Sequence, residues 1–330
     1  MAHSPIGVDL ERAPGGWLRS MAEIVLGAME FGTRIGEAES FAILDRFVER
    51  GGRWIDTANN YCFWQHPSGV GGQSEELIGR WLAARPGRRE QVLISTKMGA
   101  QPTDPARGSK AREGLAPAVV RTAIERSLRR LGTERVDLYW AHVEDRAVPL
   151  EEVVDVFGEL VAGGLAARIG ASNHPAWRVE AARRLAAARG VPAWSALQLR
   201  HSYVQPRPGA PLVSTGHRMV FPETLDYVRS DPALDLWAYS TLLSGGYVRA
   251  DRPLEEAYAH PGTARRLTAL AAVAAELGVT RNQVVLSWLL GGDPVVWPIV
   301  GASTVERIDE VLDARDLKLD PALRTRLALA

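Results

Sequence analysis

The chain has a single cysteine, Cys62, among 330 residues. One thiol closes no intrachain disulfide, and a thiolate zinc site needs several. No stretch approaches the roughly 18–20 uninterrupted apolar residues of a membrane-spanning helix. Asp9 and Glu11 stand where a secretory signal would be apolar. An excess charge of either sign is also missing, since 39 Lys+Arg balance 39 Asp+Glu. The bulk field therefore draws neither nucleic acid nor an anionic membrane. A G-x-G-x-x-G turn after the first apolar run is absent as well: "GAMEFG" at 27–32 has other spacing, which weakens the case for a doubly wound dinucleotide fold. Lysine is scarce, with only Lys97, Lys110 and Lys318 among the cations. A lysine inside an apolar run therefore needs its own explanation. These absences predict a cytoplasmic protein whose partner is a small molecule.

What is present is a substantial core, with 46% of residues apolar, and a repeating unit of short apolar run, loop and amphipathic helix. The apolar runs are Ile24–Met29, Arg53–Asp56, Val92–Lys97, Val136–His142, Ala167–Ser172, Ala193–Leu199, Leu234–Tyr239 and Val295–Val300. They are nearly continuous rather than alternating, as strands covered on both faces are. Helical stripes occupy 38–50, 74–84, 175–189, 222–229 and 263–277. Another carries Val120, Ile124, Leu128 and Leu131 before Gly132, and another Val153, Phe157 and Leu160 before Gly163. An extra helix is expected near 281–290, and Ser303 with Glu306 reads as a capping box opening the last helix. Eight strand–helix units predict an α/β fold, a single-domain (β/α)8 TIM barrel over residues 21–330 with long loops at its C-terminal face, preceded by an extension at 1–20.

In such a barrel the chemistry belongs where the strands end. Asp56 closes the second run and Tyr61 follows in "WIDTANNY"; Lys97 closes the third in "LISTKMG"; His142 closes the fourth in "VDLYWAHVED". A phenol titrates near pH 10 and is a poor acid at neutrality. An adjacent ammonium is expected to lower that value, an aspartate to hold the ammonium, and a histidine to orient a carbonyl oxygen. Together these groups suit protonation of an alkoxide. Taken alone, Asp56 and Lys97 also fit a structural ion pair, and Ser303 with Glu306 caps a helix whatever else it does.

This ordered set resembles the aldo-keto reductase family from about Ile24 to Leu312, carried by Asp56, Tyr61, Lys97 and His142, by "GASN" at 170–173, and by "IVGAS" with "ERIDE" at 299–310. The resemblance implies NADPH-dependent reduction of an aldehyde or ketone, with Tyr61 donating the proton. It places Ser172, Asn173 and Gln198 on the nicotinamide carboxamide and Tyr239 against its ring. Ser303 and Arg307 are expected at the adenosine 2′-phosphate. Gly27, Met29, Asp56, Ser240, Leu242, Gly245, Gly301 and Glu310 complete the implied cofactor contacts. Val311 departs from the asparagine common in the family, and Thr241 from its proline. Since the chain stops soon after the last expected helix, substrate selection is expected from the loops at 62–73 and 201–220. Phe63, Trp64, His142 and Arg200 are the candidate substrate contacts, Arg200 as an anchor for an anionic group, and a polar or sugar-like carbonyl is the expected substrate. Two other readings stay open: an NADPH-binding regulatory subunit with little turnover, and a lyase forming a Schiff base on Lys97.

Overall fold

The computed structural model describes residues 22–212 and 216–330; the expected extension at 1–20 and part of the 201–220 loop lie outside them. All eight strands form: β1 (Val25–Gly27), β2 (Trp54–Asp56), β3 (Leu93–Met98), β4 (Val136–Ala141), β5 (Ala166–Ser172), β6 (Ala196–Arg200), β7 (Asp235–Tyr239) and β8 (Val296–Val300). They pair in parallel in sequence order, and β8 closes on β1. The sheath comprises α1 (Glu37–Glu49), α2 (Gln73–Ala84), α3 (Pro117–Leu131), α4 (Leu150–Ala162), α5 (Ala176–Arg189), α6 (Pro222–Ser230), α7 (Pro261–Leu277), α8 (Arg281–Leu290) and α9 (Val305–Asp313). A tenth helix, α10 (Pro321–Ala328), follows. No helix among the described residues is long and apolar enough to cross a membrane.

Three sequence expectations are corrected. The sixth strand runs Ala196–Arg200 rather than from Ala193, which carries Arg200 to the strand's end. The cap of α9 is Thr304, whose Oγ1 accepts the Arg307 N–H at 3.3 Å. Ser303 and Thr304 can both cap; the glutamate at 306 pointed to Ser303, but the exit of β8 puts Thr304 at the extended residue before the first turn. The chain also does not end on α9. Asp320 caps α10 by accepting the Leu323 N–H at 2.8 Å, and Arg324 donates to the Ser287 and Trp288 carbonyls of α8.

Two cores result. One lies between strands and helices; the other is the barrel interior, where Val25, Trp54, Leu138, Trp140, Ala196, Trp237, Trp297 and Ile299 meet. Trp237 is central to it. Its ring lies 5.1 Å from Trp54 and 5.3 Å from Trp140, both edge-on, and 5.7 Å from Trp297, stacked at 13°. Edge-on and offset stacking are the arrangements the ring quadrupole favours. The large rings need small neighbours: Trp140 pairs with Gly170, and Gly170 with Ala196. A Cβ on Gly170 would stand 2.6 Å from the Trp140 ring and 2.8 Å from the Ala196 carbonyl oxygen.

Because side chains alternate along a strand, residues two positions beyond this indole layer point the same way. Trp54 is followed by Asp56, Trp140 by His142, and Trp237 by Tyr239. Two positions before it, Arg168 and Asp235 form an ion pair at 2.5 Å. The barrel is thus filled in layers: an ion pair, an apolar layer of indoles, and a polar layer at the strand ends.

Gly170→Ala is expected to destabilise the chain by about 1–3 kcal/mol through overpacking against a buried ring and a backbone carbonyl. In a Trp140→Leu background, where the ring is gone and the Ala196 carbonyl contact remains, the added cost should fall but not vanish. Urea denaturation of the four proteins of this cycle measures the coupling, and additive losses would remove the steric account.

Candidate active site

At the strand ends the polar layer converges on one carboxylate. Asp56 Oδ1 accepts the Ser95 hydroxyl at 2.5 Å and, at the long distance of 3.5 Å, the Gln198 amide. Its Oδ2 takes an ion pair from Lys97 and the Tyr61 hydroxyl at 3.3 Å. Lys97 Nζ donates three times: to Asp56 Oδ2, to the Thr57 carbonyl at 2.7 Å and to Tyr61 Oη at 2.5 Å. Both members of the ion pair are buried, the lysine side chain with 0% exposure. Burial of a charge on this scale requires full pairing, and three acceptors for three N–H bonds supply it. That is the explanation the lone strand lysine called for.

Tyr61 reaches this point from the loop after β2, and the Lys97 ammonium also sits 4.6 Å from the centre of its ring. His142, the first residue beyond β4, is anchored by its own N–H on the Met98 carbonyl at 2.8 Å. Its ring stands edge-on to Tyr61 at 5.9 Å. The four residues expected to act together are therefore brought together.

The proton affinities differ from expectation in one respect. Burial, and behind it the charge of Asp56, pushes the Tyr61 phenol well above its ordinary value, so Lys97 does not leave it acidic in this state. The Lys97 ammonium is itself lowered, because burial outweighs the attraction of Asp56. His142 falls well below the ordinary imidazole value through burial, with the charges of Lys97, His217 and Arg112 adding to it. At neutral pH the phenol keeps its proton and the imidazole is uncharged. His142 Nδ1 is buried without a hydrogen-bond partner among the described residues. A buried acceptor tolerates that better than a buried N–H, which favours the tautomer protonated at Nε2.

The expected cofactor residues fall into two groups. At the ends of β5, β6 and β7, Asn173 Oδ1 accepts the Tyr239 hydroxyl at 2.6 Å, and Asn173 Nδ2 donates to Ser172 Oγ and to the His142 carbonyl, each at 3.1 Å. Gln198 adjoins Asp56, and Gly27 pairs with Asp56 in the sheet. Met29 is exposed just beyond β1. At the opening of α9, Gly301, Ser303 and Arg307 are exposed to solvent. Glu310 faces α8 instead, accepting from Thr280 Oγ1 at 2.7 Å and Asn282 Nδ2 at 3.3 Å.

Backbone strain marks the same face. Among the described residues the non-glycine positions with left-handed φ are Cys62, Asn173, Ser240, Leu243 and Ser244, all in segments that follow β2, β5 or β7. Gly245 continues the run at φ +94°, and Leu242 immediately precedes it. Such conformations cost of order 1–3 kcal/mol each and gather where a ligand is bound. In the turn after β7 the Leu243, Gly245 and Gly246 N–H groups are taken by the carbonyls of Ser240, Leu242 and Leu243, and the exposed Gly301 and Ser303 lie at the opening of α9. With the exposed arginine at a helix N-terminus, the donors present fit a dinucleotide.

Among the substrate candidates, Phe63 and Trp64 meet edge-on at 5.1 Å, and Trp64 is 56% exposed. Arg200 is not a free anchor: it is 6% exposed and its Nη2 is held by Glu255 Oε1 at 2.7 Å. The one-residue shift of the end of β6 draws it into the wall, where a buried guanidinium requires a counter-charge. Lys97, buried and with all three N–H bonds committed, likewise has no lone pair to offer a carbonyl carbon, which tells against the Schiff-base reading.

Sequence reasoning missed Ser95, although it lies two residues before Lys97 on the same face of β3 and was legible by alternation. It also missed the brace on Asn173, for which no local signal exists. Arg218 donates from Nε to the Asn173 carbonyl at 3.1 Å and from its backbone N–H to Asn173 Oδ1 at 3.2 Å, while Glu144 holds its Nη2 at 2.9 Å.

Comparison with known proteins agrees with this geometry. The family described as Aldo/keto reductase matches residues 23–327. The chain is 29% identical over 310 residues to an uncharacterized oxidoreductase, YrpG, of Bacillus subtilis, covering 91% of this chain and 89% of that protein. It is 29% identical over 323 residues to norsolorinic acid reductase stcV of Emericella nidulans, covering 96% and 75%. With the aryl-alcohol dehydrogenase [NADP(+)] of Phanerodontia chrysosporium it shares 28% identity over 349 residues, covering 96% and 84%. A closed eight-stranded barrel, a buried Asp56–Lys97 pair bonded to Tyr61 at its mouth and a match over nearly the whole sequence lead to one conclusion: the chain is an oxidoreductase of the aldo/keto reductase family.

Proposed function

We propose that the chain reduces an aldehyde or ketone to the alcohol with NADPH, and that Tyr61 is the proton donor. The observation carrying this reading is the chain of contacts Asp56–Lys97–Tyr61 beside His142. When bound at the strand ends, a reduced nicotinamide supplies hydride to the carbonyl carbon. Ser172, Asn173 and Gln198 are the residues to hold its carboxamide, and Tyr239 the ring to lie against it. Ser303 and Arg307, beside the dipole of α9, suit the 2′-phosphate. The NADP(+) in the name of the Phanerodontia relative supports that cofactor.

The protein's own contribution follows from the hydrogen bonds. Tyr61 Oη accepts from Lys97, so its own hydrogen is left to donate. That hydrogen is directed to Asp56 at 3.3 Å, a weak bond that costs little to exchange for a carbonyl oxygen. The raised phenol ensures that the proton is present at neutral pH; an alkoxide is far more basic still, so transfer remains downhill once hydride has arrived. Lys97, already bonded to the same oxygen, stabilises the phenolate left behind. An uncharged His142 donating from Nε2 holds the carbonyl oxygen in line and shares its developing charge. Phe63 and Trp64, together with the aryl-alcohol dehydrogenase among the relatives, favour an aromatic carbonyl over the sugar-like one that the sequence led us to expect.

Two variants test the assignment. Tyr61→Phe is expected to lower the rate of NADPH oxidation on aldehydes by about a hundredfold to ten-thousandfold, the range for loss of a general acid, with the NADPH dissociation constant nearly unchanged by fluorescence titration. Retained activity would remove tyrosine as the acid, and a wild-type chain that binds NADPH yet consumes none with any of a carbonyl panel would favour the regulatory-subunit reading. Arg307→Ala should weaken NADPH by about tenfold or more, as loss of a charge-assisted contact does, and leave NADH nearly unaffected. Equal losses would mean that the arginine does not read the 2′-phosphate.

A further inference from the structure

Arg112 comes from the long loop between β3 and α3. Its backbone bridges Pro102, and its Nε donates to the Ser109 carbonyl at 2.9 Å. The guanidinium then lies across Gly216, its Nη2 and Nη1 only 3.3 and 3.4 Å from where a Cβ of that residue would stand. The next residue, His217, sets its ring edge-on to Tyr239 at 5.2 Å, and Tyr239 bonds Asn173. Arg112 thus ties the loop after β3 to the loop after β6, beside the polar layer. Its charge reaches His142, where it adds to the effects of burial, Lys97 and His217.

What sets Arg112 apart is the lack of a counter-charge. Neighbouring arginines at this end of the barrel are neutralised: Arg146, Arg178 and Arg218 share Glu144, Arg200 pairs with Glu255, and Arg207 with Glu256. Among the described residues Arg112 meets no carboxylate. Its neighbour Glu113 turns inward, where Oε1 accepts from Gly99 N at 2.7 Å and Asn59 Nδ2 at 2.8 Å. Asp145 is committed to the Leu115 and Ala147 N–H groups, each at 2.9 Å. Arg107 and Lys110, also unpaired, are exposed, where water screens them. Arg112 is only half-buried, so its outer N–H bonds remain open to a ligand. With Nε taken by the Ser109 carbonyl, the Nη1–Nη2 edge of the planar guanidinium is the one that matches a carboxylate in bidentate fashion.

We infer that Arg112 forms an anion subsite of the substrate pocket, so that the carbonyl compounds reduced best carry a carboxylate or similar anionic group. The inference deepens the proposed reductase function and rests on it, and it transfers to Arg112 the role expected of Arg200.

Two measurements separate its failure from that of the reductase reading. The first is calorimetric titration, with NADP+ present, of 4-(hydroxymethyl)benzoate and of the uncharged 4-(hydroxymethyl)benzamide. The acid should bind the wild-type chain about tenfold to a hundredfold more tightly, the worth of hydrogen bonds to a charged group. That preference should vanish in Arg112→Gln and be partly kept in Arg112→Lys. The second is the ratio of kcat/KM for 4-carboxybenzaldehyde over benzaldehyde, which should fall by about tenfold or more in Arg112→Gln; a merely structural arginine would lower both rates and leave the ratio alone. Equal binding of acid and amide, or an unchanged ratio, overturns the subsite. Tight binding of the acid through Arg112 without NADPH oxidation on any carbonyl overturns the reductase reading and leaves the subsite standing.

Discussion

The Lys97 ammonium is the constraint on which the site depends. A positive charge with no solvent exposure is tolerated only if every N–H finds an acceptor and a negative charge lies close. Asp56, the Thr57 carbonyl and Tyr61 meet that demand, and in doing so they fix where the phenol oxygen stands. The loop after β2 is thereby held by its chemistry as well as by its backbone. The same burial sets the protonation states: it raises the phenol, lowers the ammonium and keeps His142 uncharged. A tyrosine that retains its proton beside a neutral histidine is arranged to give a proton away rather than to accept one.

Beneath this polar layer lies a layer of indoles, and the strand period couples the two. Trp54, Trp140 and Trp237 each precede by two residues a member of the site, so the packing that seats the rings also aims Asp56, His142 and Tyr239. Rings of that size close the barrel only because Gly170 and Ala196 leave room. The loops above add selectivity. Most of their arginines are bound to carboxylates and serve as braces, as Arg218 does for Asn173. One of them is not.

The eight strands, the sequence-ordered helices and the four residues at the head of the site were legible because each rests on a local signal: a continuous apolar run, a helical stripe, or a polar residue at the end of a run. Boundaries were less so. Ser303 and Thr304 are equivalent as caps until the exit of β8 decides between them, and α10, though opened by Asp320 and Pro321, is too short to show a convincing stripe. Tyr61 was expected to be acidified by Lys97; instead burial, which no sequence spacing reveals, and the charge of Asp56 raise the phenol.

From the sequence alone followed the barrel, the order of its strands and helices, and the types of side chain at each strand end, since a continuous apolar run and helical periodicity are properties of a few consecutive residues. Apart from the Asp56–Lys97 pair, tertiary structure alone decided which charges meet. Arg200 with Glu255, Arg218 with Glu144 and Asn173, and Arg112 with Gly216 are contacts between segments dozens of residues apart, made by loops whose course depends on the closed barrel beneath them. Coulomb attraction and desolvation depend on distance and burial in space, and neither is defined until the chain has closed.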